Sequence, residues 1–347
     1  MQHRLSPGKL LNENGHLVEA GYATSLVRQY SREQIMASPL RIKEWDYYLI
    51  YNDDIGIALT MDDNGYMSML SASFLDFRTS CETTVSPMGI MPLGKVGLPC
   101  SSVEGVSHLK LEDKKNPAEF TFRVTENGRS LQCRMENFKN QKPFVCDILL
   151  TDEPRDSMVI ATPFPKSPKA FYYNQKIIGM RASGTVALDG KLYTLDPSQT
   201  FGLLDWGRGV WTYENTWYWG AAHGVVDGHV VGFNIGYGFG DTSAASENMI
   251  FVDGIAHKLD RLTFNIPKTA DGRDDFLKPW TFTSNDGRFE MDFLPILDRA
   301  SCTDLKLILS DQHQVFGKFT GKMVLDNGKA IHLKDFMGFA EKVHNKW

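Results

Sequence analysis

The sequence predicts an all-β fold of two tandem antiparallel β-barrels behind a short helical N-terminal extension. Three observations carry this. Short apolar or alternating runs are punctuated by D-G, N-G and D-N-G turns, as in "EFTFRVTENGRSLQCRM", "GTVALDGKLYTL" and "GKMVLDNGKAIHL". Alternation around such dipeptides is the hairpin pattern, because tight hairpin turns need residues that tolerate a left-handed backbone. Helical periodicity is scarce along the chain. Finally, one part of the sequence echoes another in the same order.

The echo sets the domain organisation. Residues 174–205, "NQKIIGMRASGTVALDGKLYTLDPSQTFGLLD", resemble residues 313–341, "HQVFGKFTGKMVLDNGKAIHLKDFMGFAE". Gln175 falls on Gln314, Gly184 on Gly321, Leu188 and Asp189 on Leu325 and Asp326, Gly202 on Gly338, and Asp205 on Glu341. Upstream, "TENGR" (125–129) echoes "SNDGR" (284–288), and Trp45 echoes Trp217. Any one match between hairpins is weak, but their shared order implies two copies of a unit of about 140–170 residues, an ordinary domain size.

Taken in order, residues 1–40 form a polar extension whose best helical stretch is "SLVRQYSREQIMA" (25–37). Residues 41–205 form the first barrel. Within it "CETTVSPMGIMPLGKVGLPCSS" (81–102) breaks the alternation with prolines and glycines. It reads as a long loop across a barrel mouth or between the units. Residues 206–347 form the second barrel. Closure is expected because an open sheet leaves unpaired edges, and a barrel of about eight strands has room for a small ligand.

At 347 residues the chain has the length of two domains. Its net charge of −5 and the lack of any Lys/Arg block argue against a nucleic-acid partner. No run of about eighteen apolar residues is present, so no membrane span is expected, and the N-terminus lacks a signal-peptide core. A cytoplasmic location follows. Five cysteines without a C-x-x-C pair favour reduced thiols. Histidines lack metal-ligand spacing, so neither a metal nor a cofactor is expected. The oligomeric state is left open.

The motifs "LDWGRGVW", "GFNIGYGFGDTSAASEN", "DGIAHKL" and "GFAE" resemble those of the family catalogued as domain of unknown function 2804, over nearly the whole chain. More distantly the chain is similar to the double-lipocalin superfamily of carotenoid hydratases and AttH-type proteins. That resemblance implies two lipocalin-like barrels and, as a precedent, acid-assisted addition of water to an alkene. In those relatives an acidic residue followed by aromatic residues closes the first barrel, and Asp205-Trp206 occupies a comparable place. The relatives' histidine-containing version is here replaced by Asp-Trp-Gly-Arg.

Candidate site residues cluster in two stretches. "LLDWGRGVWTYENTWYWG" (203–220) holds four of the seven tryptophans beside Asp205 and Arg208. Asp205 is read either as an ion-pair partner of Arg208 at the junction, or as a general acid whose pKa burial would raise. Trp206, Trp217 and Trp219 are ligand-stacking candidates, with Trp217 and Trp219 on one face of a strand. The stretch 234–257 adds Asn234, Asp241, Glu247 and His257 as polar groups, with Glu247 the second acid candidate. The G-x-G-x-G here lacks the dinucleotide-binding spacing, and no serine-hydrolase motif is present. The expectation is a small or medium, partly apolar ligand held by the second barrel. A cofactor-free hydratase, cyclase or isomerase and a glycan-binding or glycan-active protein are the alternatives.

Overall fold

The computed structural model describes residues 2–304 and 308–346. Two large antiparallel sheets, each curled toward a lipocalin-like barrel, make up most of the described residues, beside a short parallel pair of Gly8–Lys9 with Arg28–Gln29. Among the described residues, helix is limited to two three-residue 3-10 turns, and no helix is long and apolar enough to cross a membrane.

The first sheet runs, edge to edge, from Cys81–Val85 through Met67–Asp76, Ile55–Asp63, Ile42–Tyr51, Phe201–Val210 and Phe171–Leu188. It continues through Lys142–Thr151, Gly128–Lys139 and Ala118–Thr125 to Val106–Leu111. In the second sheet, Glu214–Val226 and Leu309–Val324 flank Ala330–Lys346. His229–Tyr237 continues one side and Phe289–Asp304 the other. The chain crosses between sheets at 211–213, beyond Asp205, because the strand carrying Asp205 runs on to Val210.

Burial follows position in the sheet. Ala118–Thr125 alternates, with Phe120 and Phe122 inside and Glu119 and Arg123 outside, as a strand with one wet face should. Phe201–Val210 is buried at every position and Ile42–Tyr51 at nearly every one. These strands line the first barrel with one face and pack against the second barrel with the other. Trp219, Ala221, Phe316 and Phe339 of the second sheet accordingly share one apolar core with Leu49, Leu203 and Ile177 of the first.

The two sheets repeat a local device. Gly184 and Gly321, equivalent in the sequence echo, adopt φ +125° and +155°. A Cβ would stand 2.1 Å from the Asp147 carbonyl oxygen at Gly184 and 2.2 Å from that of Glu290 at Gly321. Both long strands therefore bend where only glycine fits between neighbouring backbones.

The helix expected over 25–37 reduces to the 3-10 turn Arg32–Gln34, after the two-residue strand Arg28–Gln29. Extended backbone places Arg28 and Tyr30 on one side, and Arg32 opens the 3-10 turn that follows. Tyr30 donates to Glu44 at 2.6 Å, Arg32 pairs with the same carboxylate, and Arg28 pairs with Glu19. The 81–102 stretch begins with the short strands Cys81–Val85 and Met88–Ile90. It ends bound to first-barrel side chains: Arg208 donates to the Pro99 carbonyl and Arg129 to that of Ser102, both at 2.8 Å. The cysteines are free thiols.

Candidate functional site

Sheet register builds a row of side chains on each of the two facing walls. On the first barrel Tyr47, Asp205 and Lys176 stand side by side across three strands. On the second barrel Trp219, Glu341 and Gln314 do the same. The rows meet in opposite directions. Tyr47 Oη donates to Gln314 Oε1 at 3.2 Å, while Lys176 Nζ lies 4.0 Å from the Trp219 ring centroid. That diagonal exchange is the contact pattern of a two-fold axis passing between Asp205 and Glu341.

Each acid of this cluster has a different set of partners. Asp205 pairs with Lys176 Nζ at 3.0 Å and accepts from Asn174 Nδ2 at 2.5 Å. Glu341 instead accepts from Trp217 Nε1 at 3.0 Å and Gln314 Nε2 at 3.1 Å. Glu247 sits beside Asn234, which donates to the Glu247 backbone carbonyl at 2.8 Å and accepts from Trp219 Nε1 at 2.7 Å. Arg299 joins at the edge, donating to Gln314 Oε1 at 3.0 Å.

The electrostatics follow from removing three carboxyl groups from water beside Lys176, with Lys258 acting on Glu247 and Arg299 at the edge. Burial pushes Glu341 up to about 7, with the Trp217 hydrogen bond and Lys176 opposing the shift and Asp205 adding to it. Burial raises Glu247 as well, against the pull of Lys176. The Tyr172 hydroxyl is raised by burial and then by Glu247, Asp205 and Glu341, which places it in the same field. Tyr47 is pushed up to about 12, again by burial first. Burial resists a full set of negative charges here, so the cluster retains a proton near neutrality on Glu341. All three acids are buried, with Asp205, Glu247 and Glu341 keeping only 7, 4 and 8% of their surface accessible.

The structure brings together Asp205, Glu247, Trp217, Trp219 and Asn234 among the residues singled out in the sequence. It separates the others. Arg208 does not pair with Asp205: the two are three residues apart on a strand, so they point to opposite faces. Arg208 enters the first barrel, pairs with Asp46 at 3.0 Å and covers Trp206 at 4.4 Å. Asp241 accepts from the Ser243 backbone in a loop turn. His257 points to Asp326 on a neighbouring hairpin, at 3.3 Å, not toward the polar cluster.

Glu341, Lys176, Gln314 and Tyr47 carry the cluster but are not among the candidate site residues read from the sequence. The available signal was the echo of Gln175 on Gln314, which lies one residue out of register. Lys176 is the true counterpart of Gln314, while Gln175 faces away and donates to Ser157. Among the described residues no group of three or more His, Cys, Asp or Glu side chains is arranged to hold a metal ion.

The chain belongs to the family described as domain of unknown function (DUF2804), which matches residues 2–347. No curated protein matches it. Among solved structures it is similar to an AttH-like protein of Nitrosomonas europaea, with TM-score 0.53 and 11% identity over 90% of this chain and 96% of that one. It is also similar to kievitone hydratase of Nectria haematococca, with TM-score 0.48 and 12% identity over 99% and 98% of the two chains. CghA aligns at TM-score 0.47 and 14% identity, over 99% of this chain and 97% of that one. At these identities the likeness concerns the fold.

Proposed function

We propose that the protein binds a small, partly apolar ligand where the tryptophan-bearing wall of the second barrel meets the first. Glu341 then exchanges a proton with that ligand, as in a cofactor-free hydratase, cyclase or isomerase. The observation that supports this reading is the environment of Glu341. It is a buried carboxyl held near pH 7, oriented by Trp217 and Gln314, while Lys176 engages Asp205. An acid whose pKa lies near the working pH is suited to both halves of a proton transfer. Asp205 keeps the ammonium in place, and Glu247 is the second group able to hold a proton. Trp217, Trp219, Tyr47 and Tyr172 supply apolar faces with polar tips that orient a bound molecule.

The proposal includes a cytoplasmic location and needs neither cofactor nor nucleic acid, in keeping with the net charge of −5. The test begins with native mass spectrometry of gently isolated protein, which is expected to retain a ligand that Trp219→Ala releases. Wild type is then expected to convert that ligand or its precursor, and Glu341→Gln to lose the conversion while remaining folded. A Glu341→Gln variant with wild-type turnover overturns the proton-transfer reading.

A further inference from the structure

The second barrel has another polar site, on the opposite face of the same three strands. Residues next to the inter-barrel row point into the barrel. There Tyr218, His313, Lys342 and His344, with Asp274 and Phe276, line a cleft of 740 Å³ at the barrel mouth. This falls within the range of about 300–1,000 Å³ typical of small-molecule sites. Beneath it the barrel is filled by Trp280, Phe282, Phe293 and Phe319, so a ligand is confined to the mouth.

The charges of the cleft are already matched. Lys342 pairs with Asp274 at 2.6 Å, His313 with Asp298 at 2.7 Å, His344 with Glu214 at 3.4 Å, and Arg273 with Asp271 at 2.8 Å. An anionic ligand would have to break one of these pairs to be neutralised, because each of these cations already faces an acid and His313 faces a second, Asp311, at 3.6 Å. A hydroxyl group has no such need, because it can accept from the Lys342 ammonium and donate to the Asp274 carboxylate at once. Burial works against the His313 imidazolium, but Asp298, Asp311 and Asp274 hold its pKa above the ordinary value, keeping it a donor. Flat surfaces accompany these groups. Phe276 and His313 stack at 3.8 Å and 14°, and Tyr218 stacks on Tyr237 at 4.6 Å and 22°.

We infer that the mouth of the second barrel binds a neutral, hydroxyl-rich ligand, a sugar of one or two rings, at a site separate from the inter-barrel acids. Paired ions read the hydroxyls, and Phe276 and Tyr218 take the C–H face of the ring. The test uses the full chain with maltose and cellobiose as probes, followed by saturation-transfer NMR. One of the two is expected to bind with a Kd on the order of millimolar. Phe276→Ala is expected to weaken it about tenfold, as loss of one stacking contact does. Lys342→Met should weaken binding similarly, with circular dichroism confirming that both variants are folded. Three results overturn the inference: no transfer to either sugar, sugar binding that neither variant weakens, or inorganic phosphate displacing the sugar and shifting the His313 and His344 resonances.

Discussion

Asp205 and Glu341 occupy matching places in the two sheets, yet their neighbours give them different work. Asp205 holds a nearly buried ammonium, Lys176, whose surface is 3% accessible. Asp205→Asn therefore leaves that cation without its partner and is expected to cost roughly 3–5 kcal/mol, measured by urea unfolding. Adding Lys176→Met to Asp205→Asn is expected to restore most of the loss, because the uncompensated charge is then gone. A fully stable Asp205→Asn protein would contradict this. Glu341 makes a prediction about pH. Its folded value of about 7 lies above its ordinary 4.5, so the protonated form favours the native state. That contribution is complete below about pH 4.5 and is lost as pH rises through about 7, on the order of 3 kcal/mol in all. Asp62, pushed up to about 8, and Lys43 and Lys258, pushed down to about 7, titrate in the same window. The difference between wild type and Glu341→Gln isolates the one residue: its stability gap should change between pH 5 and 8 by most of that amount.

Strands explain why the tryptophan-rich stretch resists a single role. Trp206 and Arg208 enter the first barrel, and Asp205, one residue before Trp206, faces the second. Beyond the crossing at 211–213, Trp217 and Trp219 reach Glu341 and Asn234, while Tyr218 lines the barrel mouth. One alternating segment thus serves three environments, which a reading by composition merges into one cluster. The glycine bends belong to this scale. Gly184→Ala and Gly321→Ala each place a methyl against a neighbouring carbonyl at a left-handed φ. Each is expected to lower stability by about 1–3 kcal/mol, visible as a lower Tm. An unchanged Tm for either variant would mean that the backbones there separate freely.

Across the whole molecule the two barrels share an apolar core that surrounds the polar cluster between them. Trp219, Phe316, Met337 and Phe339 of the second sheet are buried with Leu49, Tyr51, Ile177 and Leu203 of the first. Exposing such a wall costs roughly 25 cal/mol per Å² of apolar area. Residues 212–347 expressed alone are therefore expected to aggregate or to fold incompletely, and the intact chain to unfold in one transition. Coincident far-ultraviolet circular dichroism and tryptophan fluorescence curves check the second statement. Two resolved transitions would show the barrels to be independent.

The sequence by itself determined the all-β class, because alternation and turn dipeptides act over a few residues and need no partner to be read. It also paired Gly184 with Gly321 through the repeat, while the backbone conformation that both share came from the structure. It brought Asp205, Glu341 and Gln314 to notice through the same echo, and Trp217, Trp219, Asn234 and Glu247 through composition. Only the tertiary structure decided which of these meet. Face and register are set by pairing between distant strands, and one residue of slip moves a side chain through the sheet. That slip separates Gln175, turned toward Ser157, from Lys176, which reaches Asp205 and Trp219. The proton held between the barrels has the same origin: it depends on burying acids that lie more than 90 residues apart in the chain, as Glu247 and Glu341 do.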